Sequence, residues 1–279
     1  MVLYVVATPI GNIKDITYRA VEILKESDII LCEDTRCSLK MLNYYGIRKK
    51  LISYHKFNEY KLIDKIIEDI LNGVKYVLIS DAGMPGISDP GKILINRCIE
   101  ENIKVDVLPG ACALINGFVL SGFKNDIFTF IGFLPRNTKK MKETIKLMKE
   151  TYTALIIYEA PHRLLNTLNL LKNEFGENTK IYIGRELTKL FEENFRGTIE
   201  ESICYFEGSK IRGEFVICIE NYKKDNIQID DDFILNEFYE NKRRFNLTTK
   251  ENLKKICEEN NLKKNYVYDL IINRIDKIE

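Results

Sequence analysis

The stretch VLISDAGMPGISDPGK (77–92) decides the fold. It opens on a short apolar run, Val77 to Ser80, of the kind that forms a strand buried on both faces. A loop with three glycines and two prolines follows, and then a helix near Ile93 to Glu101. Strand, tight loop and helix make one βα step. Working outward, the same step recurs. Upstream, Leu3 to Ala7 reads as a strand ending at the turn Thr8-Pro9-Ile10-Gly11-Asn12, after which Thr17 caps a helix carrying Val21 and Leu24. Ile29 to Cys32 and Leu51 to Tyr54 are strands, with helices near Ser38 to Tyr45 and Tyr60 to Leu71. Downstream, a strand at Val105 to Leu108 precedes a helix opening at Gly110. Alternation with short connections predicts an α/β fold with a parallel sheet.

The texture changes at Ser121 to Asp126, whose Gly, Lys, Asn and Asp mark a linker. FTFIGF, ALIIYE, KIYIGREL and GEFVICIE then read as strands, with helices near Lys140 to Lys149 and Arg163 to Asn173. The expected organisation is an N-terminal α/β domain over 1–121, a second α/β domain over 122–224, and a helical extension over 225–279. That last stretch has no Pro or Gly, 10 Lys+Arg against 12 Asp+Glu, and leucines and isoleucines at helical intervals, which suits about three helices.

Across 279 residues, 42 Lys+Arg against 41 Asp+Glu leave a net charge of +1, which excludes a uniformly basic nucleic-acid coat. No apolar run reaches the roughly 18 to 20 residues of a membrane span, and MVLYVVATPIGN lacks the basic flank of a signal peptide. The seven cysteines are odd in number and mostly set in apolar stretches, so they read as core residues. With two distant histidines and no Cys-x-x-Cys pair, no metal site is expected. These features predict a cytoplasmic protein with no membrane attachment.

In open α/β sheets the binding crevice lies beyond the carboxyl ends of the strands. The loops there are TPIGN, EDTR, HKFNE, SDAGMPGISDPG and PGACA. Gly86 to Lys92 satisfies G-x-x-x-x-G-K, but Ile93 stands where a magnesium-binding hydroxyl belongs, and Asp81 and Asp89 would repel phosphate. Such a loop is either a rigid structural element or a site for a cationic or neutral ligand. Glu33, Asp34 and Arg36 form either a salt-bridged turn or a set in which a carboxylate accepts a proton. His55, with Asn58 and Glu59 beside it, is structural or catalytic. Arg136 to Glu150 holds six basic residues against two acidic, with Met141, Ile145 and Met148 on one helix face, so its lysines are a solvated face or a phosphate-contacting ridge.

Seven motifs stand in a familiar order: ATPIGNIKDIT (7–17), CEDTR (32–36), SDAGMPGISDPG (80–91), LPGACA (108–113), IGFLPR (131–136), YEAPHRL (158–164) and RELTKLFEENFRG (185–197). In these the chain resembles the RsmI-type 16S rRNA (cytidine-2′-O)-methyltransferases of the tetrapyrrole methylase superfamily, over residues 1 to about 222. The resemblance implies two α/β domains of the class III methyltransferase type, with S-adenosylmethionine in the cleft between them, held largely by backbone groups. Mapped by motif, the implied cofactor residues are Gly83, Met84, Pro85, Gly86, Ala111, Cys112 and Ala113, with Thr8, Pro9 and Tyr158. Met84 replaces the usual Thr, and Ala111-Cys112 the frequent Pro-Ser. The implied reaction is 2′-O-methylation of a decoding-centre cytidine of 16S rRNA in the small ribosomal subunit. Its candidate bases are Glu33, Asp34 and His55, with Arg36 orienting a carboxylate or phosphate. The rival is methylation of a small tetrapyrrole on the same fold. A homodimer is expected by analogy.

Overall fold

A computed structural model describes residues 1–124, 126–208, 210–222, 231–245, 247–260 and 262–275. In the first half, β1 (Val2–Val6), β2 (Ile29–Cys32), β3 (Lys50–Ser53), β4 (Tyr76–Ile79) and β5 (Lys104–Leu108) form a fully parallel sheet in the order β3-β2-β4-β1-β5. Helices α1 (Tyr18–Glu26), α2 (Thr35–Tyr44), α3 (Glu59–Leu71) and α4 (Lys92–Glu100) alternate with the strands, and α5 (Ala113–Ser121) follows β5. The expected Thr17 cap is present, its hydroxyl accepting from the Ala20 amide at 3.1 Å.

Alternation along each strand explains the layering. On β4, Tyr76 and Leu78 join a cluster with Ile66, Ile70, Leu94 and Cys98 of α3 and α4. Val77 and Ile79 join Ala20, Leu24 and Leu42 of α1 and α2 on the other face. Because β4 sits between β2 and β1, the chain crosses over β4 after β1 and over β1 after β4. The loops leaving β1 and β4 therefore diverge from adjacent carboxyl ends and open a crevice.

In the second half, β6 (Phe128–Phe133), β7 (Ala154–Glu159), β8 (Lys180–Arg185), β9 (Glu193–Thr198) and β10 (Phe215–Ile219) form a sheet in the order β6-β7-β10-β8-β9. Only β6 and β7 run parallel, and the remaining pairs are antiparallel. The strand read into KIYIGREL ends at Arg185, before a turn. Strand β9 and the helix α8 (Ile199–Phe206) add to the elements expected from sequence. Leu155, Ile157, Ile183 and Ile217 face α6 (Thr138–Thr151), α7 (Leu164–Phe175) and α8.

The other face of this sheet, with Ile156, Tyr182, Val216 and Cys218, packs on Ile10 and on Leu114 of α5. A helix that closes the first half thus covers the second sheet. Gly117 makes the approach possible, since a Cβ there would sit 2.5 Å from Val216 Cγ1. The two sheets belong to one compact unit, Met1–Asn221.

Tyr222–Glu279 is a separate unit. Its helices α9 (Asp231–Phe245), α10 (Thr249–Asn260) and α11 (Lys264–Ile275) bury Ile234, Phe238, Leu253, Ile256, Val267 and Ile271 among themselves. Among the described residues no helix is long and apolar enough to cross a membrane. None of the seven cysteines forms a disulfide; Cys32, Cys98 and Cys218 are buried, whereas Cys37 and Cys204 are exposed.

Overpacking at the α5–β10 contact gives the first prediction. Gly117→Val should lower unfolding free energy by roughly 1–3 kcal/mol, read from the urea midpoint at constant slope. An unchanged midpoint would show that α5 does not hold the second sheet.

Candidate functional site

A cavity of about 520 Å³ is lined from both sheets. Glu33 comes from the loop after β2, Asp81 to Met84 and Ile87 to Asp89 from the loop after β4, and Cys112 and Ala113 from the start of α5. Across from them lie Phe133, Tyr158 to Pro161, Glu186, Leu187, Lys189 and Glu214 to Val216.

The loop after β4 is pinned at both ends. Thr8 and Gly83 exchange two backbone hydrogen bonds, of 2.9 and 3.0 Å, forming an isolated antiparallel bridge between the loops after β1 and β4. The Thr8 hydroxyl donates to Ser80 O at 3.0 Å, and the Ser80 hydroxyl donates to Gly83 O at 2.9 Å. Gly83 has φ +82°, and a Cβ would lie 3.2 Å from Ile10 Cγ2, so the position suits glycine alone. At the far end the buried Glu59 carboxylate accepts from the Gly91 amide at 3.0 Å. The amides of Ala82 and Met84, on either side of the Gly83 pin, and of Cys112, before α5, have no protein acceptor among the described residues. Tyr158 completes the wall: its hydroxyl accepts from the Leu114 amide at 3.0 Å and caps α5, where Cys112 makes no side-chain cap.

The lining holds six carboxylates, Glu33, Asp81, Asp89, Glu159, Glu186 and Glu214, against a single ammonium, Lys189. Lys189 is committed, its Nζ lying 2.9 Å from both Glu186 Oε1 and Glu214 Oε2. This knot sits on a strained turn in which Glu186 (φ 50°) and Thr188 (φ 64°) are both left-handed. Glu159 is also satisfied, accepting from the Ala160 amide at 2.8 Å and the Thr167 hydroxyl at 2.6 Å, with Arg163 at 3.4 Å.

Glu33, Asp81 and Asp89 remain. Burial, reinforced by the charges of Glu33 and Asp81, pushes the Asp89 carboxyl up to about 6. Burial and then Asp81 raise Glu33, and burial raises Asp81. Neither Glu33 nor Asp89 has a side-chain hydrogen bond or ion pair among the described residues.

Of the residues expected from sequence, Glu33, Gly83, Met84, Cys112, Ala113 and Tyr158 line the cavity. Thr8, Pro9, Pro85, Gly86 and Ala111 are not among the lining residues; Thr8 supports the Gly83 bridge, and Gly86 packs close to Ile95. Asp34, Arg36 and His55 also lie outside it. Arg36 grips Asp34 through Nε and Nη2 at 3.1 and 2.8 Å, and its hydrogen bonds hold that carboxyl down at about 2. His55 Nδ1 is buried without a hydrogen-bond partner. The basic α6 contributes nothing to the cavity; Ile145 and Met148 are buried as expected. Sequence reading assigned no role to Lys189, Glu186 or Glu214. The signal was present, since RELTK was one of the seven motifs.

The family model of the tetrapyrrole (corrin/porphyrin) methylases matches residues 2–202. The chain is 45% identical over 218 residues to ribosomal RNA small subunit methyltransferase I of Halalkalibacterium halodurans, spanning 78% of this chain and 75% of that protein. It is 38% identical over 272 residues to the protein of that name from Bacillus subtilis, spanning 96% and 93%. Among solved structures, it is similar to uroporphyrin-III C-methyl transferase from Thermus thermophilus in complex with S-adenyl homocysteine. The TM-score is 0.57 at 14% identity, covering 78% of this chain and 97% of that one, a likeness of fold.

The Asp89 environment sets a pH dependence. Its carboxyl titrates near 3.8 when unfolded and about 6 when folded, so between these values the native state binds more protons. Stability then falls as pH rises through that window, and the penalty is complete above it. Asp89→Asn should raise the Tm relative to the parent at pH 7 and much less at pH 4. A Tm difference independent of pH would refute the assignment.

Proposed function

The chain belongs to the tetrapyrrole methylase family, and within it to the ribosomal RNA small subunit methyltransferase I proteins, and from that premise we propose that it methylates 16S rRNA with S-adenosylmethionine as donor. The finer reading is transfer to the ribose 2′-hydroxyl of a decoding-centre cytidine within the small ribosomal subunit, by a homodimer. The observation that carries the methylation of small-subunit rRNA is 38% identity running through both units to a protein named ribosomal RNA small subunit methyltransferase I.

The residues present fit the donor. A cavity of about 520 Å³ lies in the range that binds small cofactors. Unaccepted amides at Ala82, Met84 and Cys112 match a ligand bearing a carboxylate and an adenine, and the uncompensated carboxylates match a cationic sulfur. Gly83, Met84, Cys112, Ala113 and Tyr158 would hold it. When bound, S-adenosylmethionine supplies an electrophilic methyl group on a sulfonium that departs as a neutral thioether.

The protein must then align the ribose oxygen and receive its proton as the O–CH3 bond forms. Asp34 is a poor acceptor, because Arg36 holds it ionised to low pH. Glu33 and Asp89 are better suited: both line the cavity without a side-chain partner among the described residues, and burial raises both carboxyls, Asp89 further under the charges of Glu33 and Asp81, which favours taking up a proton. Lys189 serves differently, fixing Glu186 and Glu214 at the opposite wall.

Tritiated S-adenosylmethionine offered to small subunits, naked 16S rRNA and uroporphyrinogen separates the readings. Label is expected in RNA and at a ribose; label only in the tetrapyrrole would establish the rival. Asp89→Asn and Glu33→Gln should each cut the single-turnover rate on the order of 10²-fold, a usual share for a general base. Wild-type rates in both variants would remove these carboxylates from the mechanism.

A further inference from the structure

The loop after β3, HKFNEYK (55–61), carries a feature that the methyl-transfer site leaves unused. Phe57 is 92% exposed and Tyr60 75% exposed, and Lys56 and Lys61 are exposed as well. An isolated aromatic ring held in water contributes nothing to folding, and among the described residues its one ring contact is an edge against His55, with centroids 5.9 Å apart.

The loop is nevertheless rigid. The Asn58 side chain accepts from the His55 amide at 2.8 Å and donates to Ser53 O at 2.8 Å. The Asn58 and Glu59 amides both return to His55 O, at 2.9 and 3.1 Å. Glu59, the next residue, is the one whose carboxylate pins Gly91, two positions beyond Asp89. Phe57 is thus presented on a short tether of fixed geometry to the cavity carboxylates. Lys56 lies near enough to act electrostatically on both Glu33 and Asp89.

Basic and aromatic residues interleaved on an exposed, preorganised turn are the chemistry that binds single-stranded nucleic acid, through phosphates and the faces of unpaired bases. Neither Lys56 nor Lys61 has a carboxylate partner among the described residues, so both charges are available. We propose that this turn is a single-stranded RNA platform. Phe57 stacks on an unpaired base beside the target nucleotide, and Lys56 and Lys61 hold the adjoining phosphates outside the acidic cavity. The idea rests on the RNA-methylating reading above and adds how the ribose is delivered.

The test is steady-state methylation of small ribosomal subunits at saturating S-adenosylmethionine by the full-length chain. Phe57→Ala should raise KM for the subunit about tenfold, the size of one lost base stack, with kcat within about twofold and cofactor binding unchanged. Phe57→Trp should keep the parental KM, whereas Phe57→Leu should behave like Ala, because hydrophobicity alone does not stack. Lys56→Ala should flatten the dependence of log KM on log salt by about one charge. A parental KM in Phe57→Ala, or full function in Phe57→Leu, overturns the platform while leaving RNA methylation intact. A changed sedimentation coefficient in Phe57→Ala would assign the ring to a protein interface and also overturn it. Absence of any RNA label with the parent enzyme would instead remove the underlying reading.

Discussion

Two backbone hydrogen bonds between Thr8 and Gly83 govern the geometry of the cavity. They join the loops that leave β1 and β4, neighbouring parallel strands whose chains depart in opposite directions. The bridge takes a left-handed residue at 83 with no side chain facing Ile10, and the bond from the Thr8 hydroxyl to Ser80 O reinforces it. It also consumes the polar groups of Gly83, while the flanking amides of Ala82 and Met84, two residues that line the cavity, have no acceptor among the described residues. One constraint therefore sets both the shape of the wall and the positions where it can donate.

The same loop carries an opposing term. Asp81 adds to the burial that raises the Glu33 carboxyl, and Glu33 and Asp81 together add to the burial that raises Asp89. Glu159 shows what the fold does when a carboxylate is structural, surrounding it with an amide, a hydroxyl and a guanidinium. Among the described residues Glu33 and Asp89 have no such partners and Asp81 has only the Asp34 amide, at 3.1 Å, a local conflict sustained by the Thr8–Gly83 bridge at one end of the loop and the Glu59–Gly91 bond at the other. Conflicts of this kind belong at sites that bind charge, and they are relieved by a cation or a proton.

Legibility from sequence followed the strength of local pattern. The buried strands of the first sheet, such as Tyr76–Ile79, are continuous apolar runs, and the parallel alternation follows from them. Strand β9, ENFRGT, has a single large apolar residue and sits at the sheet edge, so no periodicity announces it. Helix α8 did carry a signal, the Thr198–Glu201 capping box. At the site, motif resemblance singled out Gly83, Met84, Cys112, Ala113 and Tyr158, which line the cavity, but it did not separate them from Thr8, Pro9 and Ala111, which do not. That distinction depends on which way each group points, and on the knot of Lys189 with Glu186 and Glu214, which joins residues 25 positions apart.

A net charge of +1 hides an arrangement with consequences for an anionic polymer. Six carboxylates line the cavity, and its one ammonium is neutralised, so a phosphate backbone entering it would be repelled. On the proposed ribose-methylating reading, the sugar enters while its flanking phosphates stay outside, the condition for reading a nucleotide splayed from its neighbours. Attraction must then come from the rim, where the exposed Lys56 of the turn after β3 acts on both Glu33 and Asp89. Few phosphates are then engaged, which makes binding depend on ring stacking and shape more than on counterion release, and reconciles a near-neutral chain with an RNA substrate.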